Sequence, residues 1–194
     1  MIKKPTLYER NDERFGFIMS KLYYFFTMNR ASRNFYNIII NDLKKRQFNS
    51  ILDIGCGTGF VIKHIANDKN ISYYGIDPSP HMIEISKKNA GIVNFELGSN
   101  RKLPKDKKFD IIFASLSFHH WPDKMESLKQ ILGSLKKNGI FLVYENDRDK
   151  MNYLTKILIG SHAMNEDDFR AIKLNSIKMN IKHVNTVIIA EIKK

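Results

Sequence analysis

The segment spanning residues 51–60 constrains the fold of this chain more than any other part of its sequence. Its first four residues are apolar except for Asp53, which is typical of a short buried strand. Glycine then occupies alternate positions, at Gly55, Gly57 and Gly59, and an amphipathic stretch follows. Glycine is needed where the backbone takes a positive φ or where a ligand contacts the main chain. The segment therefore predicts a strand, a ligand-binding loop and a helix whose N-terminus offers free N–H groups.

An acidic residue lies at the end of the next predicted strand. Asp77 follows Gly55 by 22 positions and comes directly after an apolar run. A carboxylate at this position of a βαβ unit can accept hydrogen bonds from both hydroxyl groups of a ribose. The dinucleotide pattern G-x-G-x-x-G would place its third glycine at position 60, where this chain has Phe60. The spacing thus predicts a nucleoside-containing ligand and disfavours a nicotinamide dinucleotide.

Short apolar runs alternate with amphipathic segments through the middle of the chain, as in βαβ units with a parallel sheet. The predicted strands are residues 50–54, 73–76, 93–97, 109–114 and 140–144. Near the C-terminus, two strand-like runs at 177–181 and 187–192 predict an antiparallel pair that turns near residues 182–185. The predicted fold class is therefore α/β, with a doubly wound, mostly parallel sheet and an antiparallel C-terminal strand.

The predicted helices between these strands have recognisable ends. Ser79 can cap a helix that begins at Pro80. Farther along, apolar residues from Met125 to Leu135 share one helical face, and Gly139 can end that helix. The chain is expected to form a single domain, 1–194. It is divided into an N-terminal helical lid (1–48), a ligand-binding core (49–146) and C-terminal helices with a strand pair (147–194).

The cysteine content and the net charge limit the compartment and the partners that this chain is expected to have. The single cysteine, Cys56, excludes an intramolecular disulfide framework and favours a reducing, cytoplasmic compartment. No apolar run is long enough for a transmembrane segment, and residues 1–10 lack the features of a signal peptide. The formal net charge of +12 is compatible with a nucleic-acid partner. Lysines spread along the chain favour a solvated surface instead, so nucleic acid is possible but not favoured.

The G-x-G-x-G spacing after Asp53 closely resembles motif I of the class I, Rossmann-like methyltransferases that use S-adenosylmethionine. Further segments resemble this family in the expected order, namely residues 74–79 with Met82, 109–120 and 135–142. Within the family, the chain most resembles the branch of ubiquinone/menaquinone-type and other small-molecule enzymes. The resemblance implies a Rossmann-like fold, S-adenosylmethionine as cofactor and methyl transfer to a small or lipid-like acceptor.

The resemblance also implies which residues bind the cofactor. They are Asp53, Gly55, Cys56, Gly57, Gly59, Asp77, Pro78, Met82, Ser99, Asn100, Ala114 and Ser115. The glycine loop and Asp53 would line the methionine end, and Asp77 with Met82 would hold the ribose and adenine. Ser99 or Asn100 would meet the adenine amino group, where many relatives have an acidic residue instead. Two simpler interpretations stay open, in which Asp53 is a turn residue and Met82 is a core residue.

The acceptor side is predicted from aromatic residues and histidines. We expect the N-terminal stretch to cover the acceptor, with Tyr23, Tyr24 and Phe26 as candidate contacts together with His119. His119 and His120 are candidate bases, although adjacent side chains are expected to diverge, and transfer from a sulfonium depends mainly on in-line positioning. The other histidines have no metal-ligand spacing, so no metal site is predicted.

Two alternative functions stay open beside methylation of a small acceptor. The charge is compatible with an RNA or protein methyltransferase, although the Asn-Pro-Pro-aromatic motif of exocyclic-amine nucleic-acid methyltransferases is missing at residues 114–117. A non-catalytic, cofactor-binding regulatory module would carry the same pocket without turnover.

Overall fold

A computed structural model describes residues 30–88, 90–153, 156–157, 160–172 and 177–194. The strands are β1 (Ser50–Ile54), β2 (Ser72–Asp77), β3 (Val93–Leu97), β4 (Phe109–Ser115), β5 (Leu135–Asn146), β6 (Lys178–Val184) and β7 (Val187–Lys193). The helices are α1 (Arg30–Lys44), α2 (Phe60–Ile65), α3 (Pro80–Lys87), α4 (Lys124–Gly133) and α5 (Glu166–Arg170). Short 3-10 turns lie at Phe118–His120, Arg148–Lys150 and Gly160–His162. No helix in the described ranges is both long and apolar enough to cross a membrane.

The strands form one sheet in the order β3-β2-β1-β4-β5-β7-β6. Strands β1 to β5 pair in parallel, whereas β7 runs antiparallel to both β5 and β6. The predicted α/β class, the mostly parallel sheet and the antiparallel C-terminal strand are confirmed. Strands β2 and β3 lie on one side of β1, and β4 and β5 lie on the other side. The direction in which strands are added to the sheet therefore reverses between β1 and β4. In open α/β sheets, ligands bind at such a point, beyond the carboxyl ends of the strands.

Alternating side chains of the strands divide the core into two layers. In β1, Ile51 belongs to the layer beneath α1, α2 and α3, whereas Leu52 and Ile54 belong to the layer beneath α4 and α5. All three side chains are almost completely buried. Each buried aliphatic side chain of this size stabilises the fold by roughly 1.5–3 kcal/mol before entropy is counted. Both faces of the sheet are thus covered, which explains why its central strands are mostly apolar.

Helix α1 is fastened to the sheet by a polar cluster as well as by apolar contacts. The Tyr144 hydroxyl donates to Asp42 Oδ2 at 2.6 Å. Burial, and then the negative charge of Asp42, raise the pKa of Tyr144 well above its usual value. Arg46 forms ion pairs with Asp42 and with Glu191 of β7. The described part of the predicted lid is therefore a helix packed on the sheet. The candidate acceptor contacts Tyr23, Tyr24 and Phe26 lie outside the described residues.

The predicted end of helix α4 is wrong. The helix stops at Gly133, where the Ser134 N–H bonds to the carbonyls of Gln130 and Ile131. Leu135 is instead the first residue of β5 and pairs with Phe109. Gly139 lies inside β5, where a Cβ atom would come within 3.0 Å of the Phe109 carbonyl oxygen. The apolar spacing predicted a longer helix because Leu135 fits a helical face and a buried strand equally well.

The predicted start of helix α3 agrees with the structure. Ser79 caps α3 by accepting a hydrogen bond from the Met82 N–H at 3.4 Å, and Pro80 is the first helical residue. Strands β6 and β7 are joined through Asn185, which has a φ of 54°. The C-terminal strand pair is therefore confirmed, but the predicted turn at 182–185 is wrong in its extent, because residues 182–184 continue β6 and pair with β7.

Candidate functional site at the carboxyl end of the sheet

The glycine loop follows β1 and is hydrogen-bonded to the end of β2. The N–H groups of Gly55 and Cys56 both donate to the Ile76 carbonyl, at 2.8 and 3.0 Å. Gly55 and Gly59 each have a φ of 75°, in the left-handed region that favours glycine. A Cβ atom would also lie 2.7 Å from the Ser117 Cβ at Gly55 and 2.5 Å from the Phe95 ring at Gly59. Glycine is therefore required at both positions by conformation and by space.

Asp77 links this loop to helix α3. One of its carboxylate oxygens accepts from the Gly57 N–H and the other from the Ser79 N–H, each at 2.9 Å. The carboxylate is only 8% exposed, and it is held at the carboxyl end of β2. The structure thus brings together the loop and the acid that the sequence separates by 20 residues. This is the arrangement in which a carboxylate can meet ribose hydroxyl groups.

Asp53, at the end of β1, is a buried carboxyl group with unmet hydrogen-bonding capacity. Its side chain is 1% exposed, and its Oδ1 finds no hydrogen-bond partner among the described residues. Burial, and then the negative charge of Asp77, raise its pKa well above the usual value. Leaving a buried polar atom unpaired costs on the order of 1–3 kcal/mol. Such a group fits a site whose ligand supplies a hydrogen-bond donor or a positive charge.

A cleft opens beside the loop, and one of its walls was not predicted from the sequence. Its lining residues are Tyr36, Gly55, Cys56, Gly57, Thr58, Phe60, Val61 and Ser115. Tyr36 comes from α1 and packs against Phe60 with ring centroids 5.1 Å apart. Its spacing in the helix is that of an ordinary core residue, so no signal in the sequence marks it as part of a ligand site.

Cys56 is part of the loop structure. Burial, and then the carboxyl groups of Asp53 and Asp77, raise the pKa of its thiol well above the usual value. The thiol therefore stays protonated near neutral pH, and a protonated thiol is a poor nucleophile. This agrees with a structural role for Cys56.

The remaining predicted cofactor residues follow β2, β3 and β4. Pro78 is half-buried, and Met82 lies buried at the start of α3. The Gly98 N–H donates to the Asp77 carbonyl at 3.1 Å, which places the turn after β3 beside Asp77. In that turn the Ser99 backbone pairs with Lys102.

Asn100, in the same turn, is buried, and its Nδ2 donates to the Ser127 hydroxyl at 2.6 Å. The amide nitrogen only donates, so the side-chain oxygen of Asn100 is the atom that could accept from an adenine amino group. Ala114 and Ser115 end β4, and of the two Ser115 lines the cleft.

His119 lies in the 3-10 turn that follows β4, and a buried carboxylate fixes its ring. Its backbone N–H donates to Glu145 Oε1 at 3.1 Å, and its Nδ1 lies 2.9 Å from Glu145 Oε2. Because a carboxylate only accepts, Nδ1 carries a proton, and in the neutral form of the ring Nε2 presents a lone pair. Nε2 is buried and has no hydrogen-bond partner in the part of the chain that the structure describes. Glu145 lies just beyond the predicted strand end, and the sequence pattern gave no sign of its role.

The expectation that His119 and His120 diverge is wrong. Their ring centroids are 3.9 Å apart, and His162 lies 5.5 and 5.4 Å from them. Phe118 and Trp121, which flank the two histidines, point into the core. Both histidine rings therefore lie on the side of the turn that faces away from the core. Burial, and then the charges of His119, His162 and Lys124, lower the pKa of His120 to about 4. Tertiary contacts thus assemble three histidines whose spacing in the sequence predicts no cluster.

A family model described as a methyltransferase domain matches residues 46–191. An uncharacterized methyltransferase of Anoxybacillus flavithermus is 34% identical over 107 residues, which are 54% of this chain and 50% of that protein. The ubiquinone biosynthesis O-methyltransferase of Pelagibacter ubique is 31% identical over 136 residues, 65% of this chain and 56% of its own length. The chain spans about half the length of the curated relatives it matches.

A solved structure shares the fold. The plantazolicin methyltransferase BamL, crystallised with a triazolic desmethylPZN analog and SAH, superposes with a TM-score of 0.73 at 19% identity. The match covers 92% of this chain and 79% of that protein. Identity at this level supports a common fold.

Proposed function

Because this chain belongs to the family of methyltransferase domains, we propose that it transfers a methyl group from S-adenosylmethionine to a small-molecule acceptor. The observation that carries the proposal is the Asp77 carboxylate, which is fixed against the Gly57 N–H at the point where the strand order of the sheet reverses. When bound, S-adenosylmethionine supplies an electrophilic methyl group on a positively charged sulfur. The residues around the loop have the chemistry to hold the rest of that molecule.

The geometry around the loop supports several of the proposed cofactor contacts. Asp77 would accept hydrogen bonds from the ribose hydroxyl groups. Asp53, buried and with one unpaired oxygen, would receive the ammonium group of the methionine end. Gly55 and Gly57 leave the main chain open to contact. Tyr36 would close the cleft from the side of α1. Pro78, Met82, Ser99 and Asn100 stay proposed contacts to the adenosine.

The acceptor is proposed to lie on the side of the site formed by β4 and β5. His119 Nε2 is a buried polar atom of that region without a hydrogen-bond partner among the described residues, and Glu145 holds its ring in place. Relatives named O-methyltransferases support an oxygen nucleophile on the acceptor. The aromatic segment with Tyr23, Tyr24 and Phe26 is proposed to cover it and to exclude water. The division into lid, core and C-terminal part and the cytoplasmic location also stay predictions.

Isothermal titration calorimetry tests the cofactor. S-adenosylhomocysteine should bind, and NAD should not. Asp77→Ala should weaken binding by about 1.5–3 kcal/mol, because it removes charge-assisted hydrogen bonds to the ribose. Asp110→Asn is the matched control, since Asp110 also accepts bonds from a backbone N–H and from a serine hydroxyl, but at the opposite end of the sheet. Tighter binding of NAD than of S-adenosylhomocysteine would contradict the proposal.

Transfer of a labelled methyl group tests the acceptor class. The chain is incubated with labelled S-adenosylmethionine and a cell extract divided by filtration into small molecules, RNA and protein. We expect label in the small-molecule fraction, and we expect Asp77→Ala to reduce it. Label confined to the RNA or protein fraction would favour the alternative of a macromolecular acceptor. Cofactor binding without transfer to any fraction would favour a regulatory module.

A further inference from the structure

We propose that His119, His120 and His162 form a binding site for one divalent transition-metal ion such as Zn²⁺. One ring nitrogen from each histidine lies within 4.8 Å of those of the other two. Imidazole nitrogen is a preferred ligand of Zn²⁺, Cu²⁺ and Ni²⁺ in proteins. The three rings come from two separate segments, so the fold itself assembles the set. This inference goes beyond the proposed methyl transfer and does not depend on it.

The surroundings of His119 match those of a metal ligand. Metal-binding histidines usually donate their second ring N–H to a carboxylate or carbonyl, which fixes the ring and the tautomer. Glu145 provides that carboxylate at 2.9 Å from Nδ1, and it is completely buried. The opposite nitrogen, Nε2, is buried and lacks a partner among the residues described. A bound cation would satisfy Nε2 and would balance part of the buried negative charge of Glu145.

Each histidine is held by an anchored segment. Phe118 and Trp121 secure the turn that carries His119 and His120, with their rings packed 4.9 Å apart in the core. His162 precedes the buried Met164, whose backbone bonds to Asn146 at the end of β5 and to Arg148. The segments that carry the three histidines are therefore held in place by contacts that do not involve the histidine rings.

The spacing of the nitrogens suits a site that tightens when the ion binds. Tetrahedral coordination with Zn–N bonds of about 2.0–2.1 Å places ligand nitrogens roughly 3.3–3.4 Å apart. The nitrogens, now within 4.8 Å of one another, would approach by rotation of the exposed side chains of His120 and His162.

Two further features of the site are the positive charge of Lys124 beside the cluster and the three-histidine ligand set. The Lys124 ammonium lies close by, but it donates to the Trp121 carbonyl at 2.9 Å and to the His119 carbonyl at 3.4 Å. Three histidines are the ligand number of metal centres that keep a coordination position open. A water molecule can occupy that position. If the proposed function holds, an oxygen of the acceptor can replace the water.

Zinc binding by tag-free protein tests the site. Calorimetry with Zn²⁺, and elemental analysis after gel filtration, should show about one tightly bound ion per chain. His120→Ala and His162→Ala should each weaken binding more than about 100-fold, and Glu145→Gln by about 10- to 100-fold. His64→Ala is the matched control, because His64 is an exposed histidine on α2 outside the cluster. Its affinity for Zn²⁺ should equal that of the wild type.

Two readouts make the result independent of variant folding and of the proposed function. In nitrogen-15 spectra of the wild type, Zn²⁺ should shift the Nε2 signal of His119 and leave that of His64 unchanged. His162→Ala should keep the wild-type affinity for S-adenosylhomocysteine, so failure of either proposal can be recognised separately. Wild-type protein that retains no zinc, or equal zinc affinity in the wild type and in the His120→Ala, His162→Ala double variant, would show that the cluster is only side-chain packing.

Discussion

Asp53 and Asp110 are carboxyl groups at opposite ends of the central strands, and their pKa values shift in opposite directions. Burial, and then the charge of Asp77, raise the pKa of Asp53. Burial also acts to raise the pKa of Asp110, but hydrogen bonds from Lys136, Ser50 and the backbone N–H of Asn49 outweigh it and lower the pKa. The Asp110 carboxyl group is therefore paired within the protein, whereas one oxygen of Asp53 has no hydrogen-bond partner among the described residues.

The Asp53→Asn variant should be more stable than the wild type when no ligand is bound. The folded protein holds the Asp53 proton at pH values at which the unfolded chain has lost it, so stability present below about pH 4 is lost as the pH rises toward the raised pKa. Asparagine removes that loss. Thermal unfolding at neutral pH should show a higher Tm for the variant, and the difference should shrink as the pH approaches about 4.

The same substitution should weaken S-adenosylhomocysteine binding by about 10- to 100-fold, because a charge-assisted bond to the ammonium group is lost. Asp110→Asn should do the reverse. In the wild type, the stabilising bonds to the Asp110 carboxylate are present above about pH 4 and are lost as the pH falls through the lowered pKa. The Asp110→Asn variant should therefore be less stable than the wild type at neutral pH and should keep the wild-type ligand affinity. An Asp53→Asn protein that is less stable than the wild type, or that binds equally well, would contradict this assignment.

At the scale of elements, the bond from Tyr144 to Asp42 joins helix α1 to β5 across 102 residues of sequence. Tyr144→Phe removes one bond to a charged acceptor while Asp42 keeps its contact with Arg46. We expect a loss of about 1–2 kcal/mol in the free energy of unfolding, which is a fall of roughly 2–8 °C in Tm. Urea unfolding followed by circular dichroism measures it.

The matched control for this bond is Tyr74→Phe, at a half-buried tyrosine of β2 whose ring packs on Phe109. Its effect should stay within about 0.5 kcal/mol. Equal losses in the two variants would mean that the hydroxyl of Tyr144 does not fasten the helix.

At the scale of the whole molecule, the net charge of +12 is the property most open to a second explanation. The densest basic cluster, at Arg101, Lys102, Lys105, Lys107 and Lys108, is exposed beside β4. Exposed cations that contact only phosphates bind nucleic acid weakly and with strong salt dependence. We therefore expect RNA affinity to disappear near physiological salt in fluorescence anisotropy titrations. Submicromolar, sequence-selective RNA binding at that salt would instead support a nucleic-acid acceptor.

The sequence by itself determined the sheet and the part of the site around the glycine loop. Strand β1, the loop and helix α2 follow one another within about fifteen residues, and the positive φ angles of the loop need glycine. Asp77 could be assigned to the same end of the sheet because parallel strands place their carboxyl ends together. These inferences needed only local periodicity, backbone conformation and the geometry of a parallel sheet.

Only the tertiary structure decided which side chains complete the site. His119 meets Glu145 across 26 residues, His162 joins the histidine cluster, and Tyr36 lines the cleft. Neither His162 nor Tyr36 lies in a segment with a distinguishing pattern of its own. The same holds for Leu135, whose apolar side chain fits a helix or a strand until its pairing with Phe109 is known. An apolar or titratable residue carries no local mark of its distant partner, because that partner is set by how the elements pack. Packing, not spacing along the chain, brought three histidines to one place.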